Sequence, residues 1–224
     1  KVTMPKVITI GEGAFQDCTA LESVTMPLVE TIGQQAFEGC TKLTTVTMPK
    51  VTEIGEGAFL NTALVSVSMP KVTDIGVGAF KYCTALTNVT MPNVETIGAF
   101  AFLSTALVSV SMPKVTEIGN STFYGCTALE SVTMPKVTEI GNNAFYECNA
   151  LESVTMPKVT EIGEGAFDGT LISIMVLNNI LRINELKSVL ASFKNCTCGN
   201  AMLSSCSGES IGNIVNYTKR LHSC

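Results

Sequence analysis

The sequence predicts a repeat solenoid, in which short parallel strands stack to form a sheet of about eight rungs. All eight prolines follow a methionine, and they recur at steps of 22, 22, 21, 22, 21, 22 and 22 residues. A glycine column and, four residues after it, a phenylalanine column keep the same phase. A fixed period of this length is typical of a solenoid, whereas a propeller blade needs about 40 residues.

The first part of each rung is predicted to be a short strand. Val24 and Met26 are two residues apart, which is the spacing of side chains on one face of a strand, so Ser23 and Thr25 face the other way. Leu21 recurs with them in every rung and is predicted to face inward. Pro27 cannot donate a ladder hydrogen bond, so it ends the strand.

The second part of each rung is predicted to be a turn followed by a short extended or 3₁₀ segment. Val29, Ile32 and the Ala36–Phe37 pair are fixed in kind and therefore line the rest of the core. The glycine column, represented by Gly33, supplies a turn that a side chain would obstruct. Two rungs, FLNTAL and FLSTAL, are one residue short where FQDCTAL has a cysteine, and we expect a loop to absorb the deletion.

Composition excludes several classes of function. The 224 residues are 46% hydrophobic and 15% charged, which is not the composition of a disordered chain. The net charge is −5, so the basic field of a nucleic-acid-binding protein is missing. There is no run of 18 or more apolar residues, so no membrane span is predicted. The single histidine, His222, argues against most histidine-based catalysis and against histidine-rich metal sites, and no catalytic or cofactor residues are predicted.

The repeat fades after residue 170, and we therefore predict two regions: a solenoid over 1–170 and a C-terminal capping region over 171–224. Apolar residues at steps of three and four indicate an amphipathic helix at about 178–193. Covering the last apolar rung is the simplest role for such a helix. A helix that binds a partner is the alternative.

The nine cysteines fall into two groups. Five occupy one repeat column and are predicted to be buried free thiols, although neighbouring rungs are close enough for a bridge: Cys18, Cys40, Cys83, Cys126 and Cys148. Four in the tail predict two disulfides of undetermined connectivity: Cys196, Cys198, Cys206 and Cys224. A zinc site is the competing interpretation of the tail. Disulfides would indicate an oxidising compartment.

The repeat closely resembles BspA-like (Treponema pallidum-type) leucine-rich repeats. The resemblance covers residues 1 to about 170 and rests on three features: Pro after the strand, then I-G-x-x-A-F, then x-x-C-x-x-L. It implies a right-handed, leucine-rich-repeat-type solenoid found on bacterial surfaces and in some protozoan parasites, where members look like adhesins. Family members carry no catalytic residues, so the resemblance implies a non-enzymatic protein without cofactors.

The sequence and the resemblance together predict a secreted or cell-surface module that binds a protein or glycan. A structural spacer within a longer surface protein is the alternative, because the rungs are nearly identical. The chain opens inside a rung, which we interpret as a processed chain or fragment, and its uncapped first rung could self-associate end to end. The predicted interaction surface comprises the outward strand residues and the variable position before them: Thr44, Thr45, Thr47, Val65, Ser66, Ser68, Thr87, Asn88, Thr90, Val108, Ser109, Ser111, Glu130 and Glu152.

Overall fold

A computed structural model describes residues 1–172, and these form a parallel β-solenoid of the leucine-rich-repeat type. Sixteen short strands alternate along this part of the chain, with no helix among them. The odd-numbered strands line one side of the solenoid: β1 (Val2–Thr3), β3 (Ser23–Thr25), β5 (Thr45–Thr47), β7 (Ser66–Ser68), β9 (Asn88–Thr90), β11 (Ser109–Ser111), β13 (Ser131–Thr133) and β15 (Ser153–Thr155).

The even-numbered strands line a second side and confirm that the second segment of each repeat is extended. They are two residues long: β2 (Thr9–Ile10), β4 (Thr31–Ile32), β6 (Glu53–Ile54), β8 (Asp74–Ile75), β10 (Thr96–Ile97), β12 (Glu117–Ile118), β14 (Glu139–Ile140) and β16 (Glu161–Ile162). Every isoleucine in this set is buried, and it is paired in register with its counterpart in each hydrogen-bonded strand.

The core is built from the columns that the repeat predicts. Met26 and Phe37 are fully buried, and their equivalents in later repeats are buried as well. The eight phenylalanines form one continuous stack from Phe15 to Phe167, with ring centroids 5.1–5.4 Å apart and ring planes nearly parallel. Each repeat therefore buries its apolar edge against the next one, as a solenoid requires.

The third side of the solenoid consists of consecutive tight turns, and we call its exposed residues the turn face. It runs from each column glycine to the residue two positions after the phenylalanine: 11–17, 33–39, 55–61, 76–82, 98–104, 119–125, 141–147 and 163–169. Two positions in each turn have a positive φ, as at Gly13 and Asp17. Phe15 N donates to Ala36 O at 2.8 Å, and this bond between neighbouring repeats recurs along the side.

The glycine column is required where neighbouring turns touch. At Gly98, a Cβ would lie 2.5 Å from Val77 N and 2.7 Å from Gly76 C, both of which are backbone atoms. Gly11 begins the first turn, and a Cβ there would meet nothing within 4 Å. Neither Gly98 nor Gly11 has a positive φ, so the conformation of the turn does not require glycine. Close contact with the neighbouring repeat is what requires it at Gly98.

The two 21-residue repeats interrupt the sheet of odd-numbered strands. Within residues 1–172, this sheet divides into the groups β1-β3-β5, β7-β9 and β11-β13-β15. The two interruptions separate β5 from β7 and β9 from β11, and each coincides with a repeat that is one residue short. The sheet of even-numbered strands continues from β2 to β10 and is interrupted once, between β10 and β12. The deletion thus alters strand pairing as well as loop length.

Threonine takes the cysteine position in the short repeats, which corrects the expectation that this position is missing there. Thr62 and Thr105 are buried three residues after their phenylalanines, where Cys40 stands in the full-length repeat, and Thr170 is buried at the same position. The residue that is absent is the exposed one that follows. Threonine can fill the position because its side chain is close to cysteine in size and its hydroxyl finds a buried partner.

The C-terminal predictions lie outside the described residues. They are the helix at about 178–193, the two disulfides or zinc site formed by Cys196, Cys198, Cys206 and Cys224, and all of the region 171–224 except its first two residues. Leu171 is exposed and Ile172 is buried, so the core extends to the end of the described chain. No helix within residues 1–172 is long and apolar enough to span a membrane.

Candidate functional site

The predicted interaction surface lies on the exposed side of the odd-numbered strands, which we call the strand face. Parallel pairing sets its order, because Ser23 is opposite Thr45, and Ser109 is opposite Ser131 and then Ser153. The structure places all fourteen predicted residues in exposed positions: Thr44, Thr45, Thr47, Val65, Ser66, Ser68, Thr87, Asn88, Thr90, Val108, Ser109, Ser111, Glu130 and Glu152. The fourteen residues are therefore mostly hydroxyl-bearing, with one amide, two carboxylates and two apolar side chains among them.

The two apolar positions lie beside the interruptions of the sheet. Val65 is 49% exposed and Val108 is 42% exposed, and each immediately precedes the first strand after an interruption. Both belong to the identical segment LVSVSMPKVT, which occurs at 64–73 and again at 107–116. The chain therefore presents the same apolar feature twice, two repeats apart.

Two valines at the interruptions belong to a column that the sequence correctly predicts to face inward, but their partial exposure was not predicted. Val46 on β5 and Val89 on β9 are only partly buried, whereas the equivalent Val24, Val67 and Val110 are buried. Val46 and Val89 are the central residues of the last strands before each interruption, and the next strand does not pair with them to cover their side chains. We call each interruption, with the partly buried valine before it and the exposed valine after it, a notch: Val46 and Val65 stand at the first, and Val89 and Val108 at the second.

The variable position before each strand is held by backbone bonding between repeats. Thr44 N donates to Glu22 O at 3.0 Å, and Thr87 N donates to Val65 O at 3.0 Å. The hydroxyls of both threonines also donate to these carbonyls, at 3.3 and 3.2 Å. These side chains are thereby fixed on the backbone, whereas Val65 and Val108 leave their methyl groups to solvent.

The buried cysteines of the repeat column are held as neutral thiols. Cys18 is exposed, which corrects the expectation of burial at that one position, while Cys40, Cys83, Cys126 and Cys148 are buried and all five are free thiols. Burial raises the pKa of Cys83 and Cys126 to about 11. Cys83 Sγ donates to Phe59 O at 3.0 Å, and Thr62 Oγ1 lies 3.2 Å from the same sulfur. A neutral, hydrogen-bonded thiol is a structural group and not a nucleophile.

The exposed column of the second sheet carries five acidic residues: Glu53, Asp74, Glu117, Glu139 and Glu161. Asp74 accepts hydrogen bonds from the hydroxyls of Thr73, at 2.6 Å, and Thr96, and these two bonds lower the pKa of its carboxyl group. No group of three or more metal-ligating side chains occurs within residues 1–172. Lys114 and Glu95 form the single ion pair in this part of the chain, at 3.8 Å, so the alternating lysine and glutamate columns otherwise act as a solvated surface.

An asparagine ladder, which the sequence pattern did not indicate, supports the last described turns. Asn120 Oδ1 accepts a hydrogen bond from Asn142 N at 2.8 Å, and Asn142 Oδ1 accepts one from Glu164 N at 2.8 Å. It lies one residue after the glycine column and not near the strand, where asparagine would be sought in a leucine-rich repeat. It satisfies backbone donors and does not form a binding site.

Comparisons with known proteins agree with this geometry. The family model of the BspA-type leucine-rich repeat region matches residues 8–130 and 116–220, in six copies. The crystal structure of a leucine-rich repeat protein from T. pallidum is 25% identical, with 88% of this chain and 86% of that chain covered and a TM-score of 0.57. A leucine-rich cell surface protein from Faecalibacterium prausnitzii A2-165 is 26% identical, with 92% and 68% covered and a TM-score of 0.52. No curated protein sequence matches the chain significantly.

Proposed function

The chain belongs to the BspA-type leucine-rich repeat family, and from that premise we propose that it is a secreted or cell-surface module that binds a protein or glycan through its strand face. One observation carries the proposal: the two equivalent apolar notches, Val46 with Val65 and Val89 with Val108, which interrupt an otherwise hydroxyl-rich face. Apolar side chains exposed within a polar rim are the usual anchors of a binding surface. The description of the F. prausnitzii relative as a cell surface protein supports the proposed location.

The module acts without catalysis. Within residues 1–172 the buried thiols are held neutral, and the one carboxylate with a lowered pKa is bonded to two threonine hydroxyls. A repeat places identical side chains in columns, whereas a catalytic centre requires different side chains at one point. The polar groups of the strand face are therefore suited to many weak contacts with a ligand that extends over several repeats.

The test is an array screen with paired variants. The chain is applied to arrays of extracellular proteins and glycans, and every ligand found is titrated against Val65→Thr/Val108→Thr. This variant installs the residue that the repeat itself uses at Thr44 and Thr87, so the fold is retained. Val77→Glu is the control, because Val77 is an equally exposed valine on the turn face and glutamate is the residue at the equivalent Glu12 and Glu56.

We expect the threonine variant to bind at least about tenfold more weakly, since losing one anchor contact costs more than about 1 kcal/mol and two are removed. The Val77→Glu control should bind like the wild type. If the wild type and the threonine variant bind the ligand with equal affinity, the notches are not part of the binding surface. If the arrays hold no ligand at all, the result would favour the spacer function, for which the near-identity of the repeats is the supporting observation.

End-to-end self-association of the first repeat stays a prediction. Among residues 1–172, β1 and β2 each pair with a strand on one side only, and Val2, Val7 and Phe15 are partly buried there. Sedimentation at increasing concentration tests it, because oligomers of increasing length are expected if the edges pair and a single monomer peak if they do not.

A further inference from the structure

The middle of the turn face departs from the repeat in a way that the strand face does not explain. Apart from the buried Asp168, the turns at 11–17, 33–39 and 55–61 and those at 141–147 and 163–169 carry six carboxylates: Glu12, Asp17, Glu38, Glu56, Glu147 and Glu164. The three turns between them carry none, and Lys81 is the only basic residue on the whole face. The turn face is therefore acidic at both ends and free of carboxylates in the middle.

Apolar and aromatic side chains take the place of the carboxylates. Val77, Tyr82 and Phe100 are exposed, and Lys81 Nζ lies 5.0 Å from the centroid of the Tyr82 ring and 5.6 Å from that of Phe100. We call Lys81, Tyr82 and Phe100 the aromatic patch. Farther along the same face, Tyr124 and Tyr146 are stacked at 5.0 Å. Lys81 thus joins two rings from neighbouring repeats through cation–π contacts.

Two members of the patch are held in a backbone conformation that is unfavourable for them. Phe100 and Tyr82 each have a φ of 61°, in columns that elsewhere hold only glycine or polar residues such as Gly78 and Asn61. Phe100 N donates to Asn120 O at 3.0 Å, and Tyr82 N donates to Leu103 O at 2.9 Å, so the bonding between repeats fixes this geometry. A bulky side chain at positive φ is uncommon, and such strain tends to be retained where the side chain is used.

From these observations we infer that the aromatic patch is a second binding surface, which takes an extended basic polypeptide segment with a central apolar anchor side chain. The anchor packs on Phe100 and Tyr82, and acidic or carbonyl oxygens beside it accept hydrogen bonds from Lys81. Arginine and lysine residues on both sides of the anchor lie against the acidic ends of the turn face. Tyrosine and phenylalanine are typical hot-spot residues, and the flanking charges give orientation and speed of association.

The probe is a synthetic peptide of about twelve residues, which is long enough when extended to cross all eight turns at about 5 Å per repeat. It has arginines at both ends and Phe-Asp in the middle. Two matched peptides differ from it in one feature each: one has alanine in place of the phenylalanine, and the other has glutamates in place of the arginines. Binding to the full chain is measured by fluorescence anisotropy at low and high salt.

The protein variant is Tyr82→Asn/Phe100→Gly, which installs residues that the same columns already hold at Asn61 and Gly78, so folding is retained and a thermal melt verifies it. Asn143→Gly is the control, since it changes the Phe100 column two repeats away. Val65→Thr/Val108→Thr separates the two surfaces: it should leave peptide affinity unchanged, so this inference can fail while the proposed strand-face function stands.

We expect the basic peptide to bind the wild type and to lose about tenfold in affinity on Tyr82→Asn/Phe100→Gly, on the alanine peptide and at high salt, with no binding by the acidic peptide. The inference is overturned if wild type and Tyr82→Asn/Phe100→Gly bind the basic peptide equally, if the acidic peptide binds as well, or if no peptide binds. A wild-type dimer that dissociates in Tyr82→Asn/Phe100→Gly would also overturn it, because the patch would then serve a second copy of the chain.

Discussion

Single residues are best understood here by comparison with their equivalents in the neighbouring repeats. Phe100 stands in a column that is glycine in four of the other seven repeats, and Val65 stands in a column held mostly by glutamate and threonine; both side chains are exposed. Gly98, in contrast, matches its column, and the neighbouring backbone there leaves no room for a Cβ. A residue that matches its column is explained by the fold, and one that departs from its column while exposed is a candidate for function.

Gly98→Ala should destabilise the protein by about 2 kcal/mol, because the new Cβ would push against the backbone of the preceding turn and force the two repeats apart. Gly11→Ala is the matched control and should leave the free energy of unfolding within about 0.5 kcal/mol of the wild type. Urea unfolding followed by circular dichroism measures both. Equal stability of the two variants would mean that the turns are not in contact as described.

The buried thiols predict a loss of stability at high pH. Burial raises the pKa of Cys83 from 9.0 to about 11, so the folded state keeps a proton that the unfolded state loses above pH 9. The contribution is complete below pH 9 and falls as the pH rises toward 11. Unfolding free energies measured from pH 7 to 10.5 should therefore decline less in Cys83→Ser, which keeps a donor for Phe59 O. Parallel curves for wild type and Cys83→Ser would contradict the assignment.

At the scale of strands and turns, the sequence predicts which residues are buried but does not predict how the strands pair. Val24, Met26 and Phe37 could be placed inside from period alone, because burial in a solenoid follows the repeat. The interruptions of the sheet could not be predicted from the sequence, because a 21-residue repeat locates a deletion but does not reveal how strand pairing responds to it. Thr62 was missed for a related reason: the sequence shows that cysteine is absent, and packing decides that threonine replaces it. The aromatic patch required the φ of Phe100, which the sequence does not reveal.

Inserting one threonine after Thr62 should restore the 22-residue spacing and allow β5 to pair with β7. The insertion recreates the full-length pattern, in which Cys40 is followed by Thr41 before the next leucine. We expect slower amide hydrogen exchange across β5 and β7 and burial of the Val46 side chain, with a melting temperature no lower than that of the wild type. The same insertion after Thr41 is the control, since it adds a residue where none is missing.

An unchanged exchange pattern after the insertion at Thr62 would show that the interruption between β5 and β7 has a cause other than repeat length. If the insertion variant pairs β5 with β7 and still binds the ligand with wild-type affinity, the notch is not required for binding.

The whole molecule is a stack in which stability is spread along the axis and function is concentrated on its sides. The continuous phenylalanine stack and the paired strands make each repeat depend on its neighbours, so the fold tolerates exposed substitutions in any one repeat. Exposed residues of the strand face can therefore be substituted without affecting those of the turn face, and the reverse. This separation explains how nearly identical repeats can carry two local departures, the notches and the aromatic patch, without loss of the core.

The most direct test of a ligand on the strand face is radical footprinting of the chain with and without the ligand identified on the arrays, read by mass spectrometry at each residue. Protection of Val65 and Val108, with Val77 labelled equally in both samples, is the predicted result, since all three valines are similarly exposed in the free chain. Unchanged labelling of Val65 and Val108 in a saturated complex would contradict it and would place the ligand elsewhere on the solenoid.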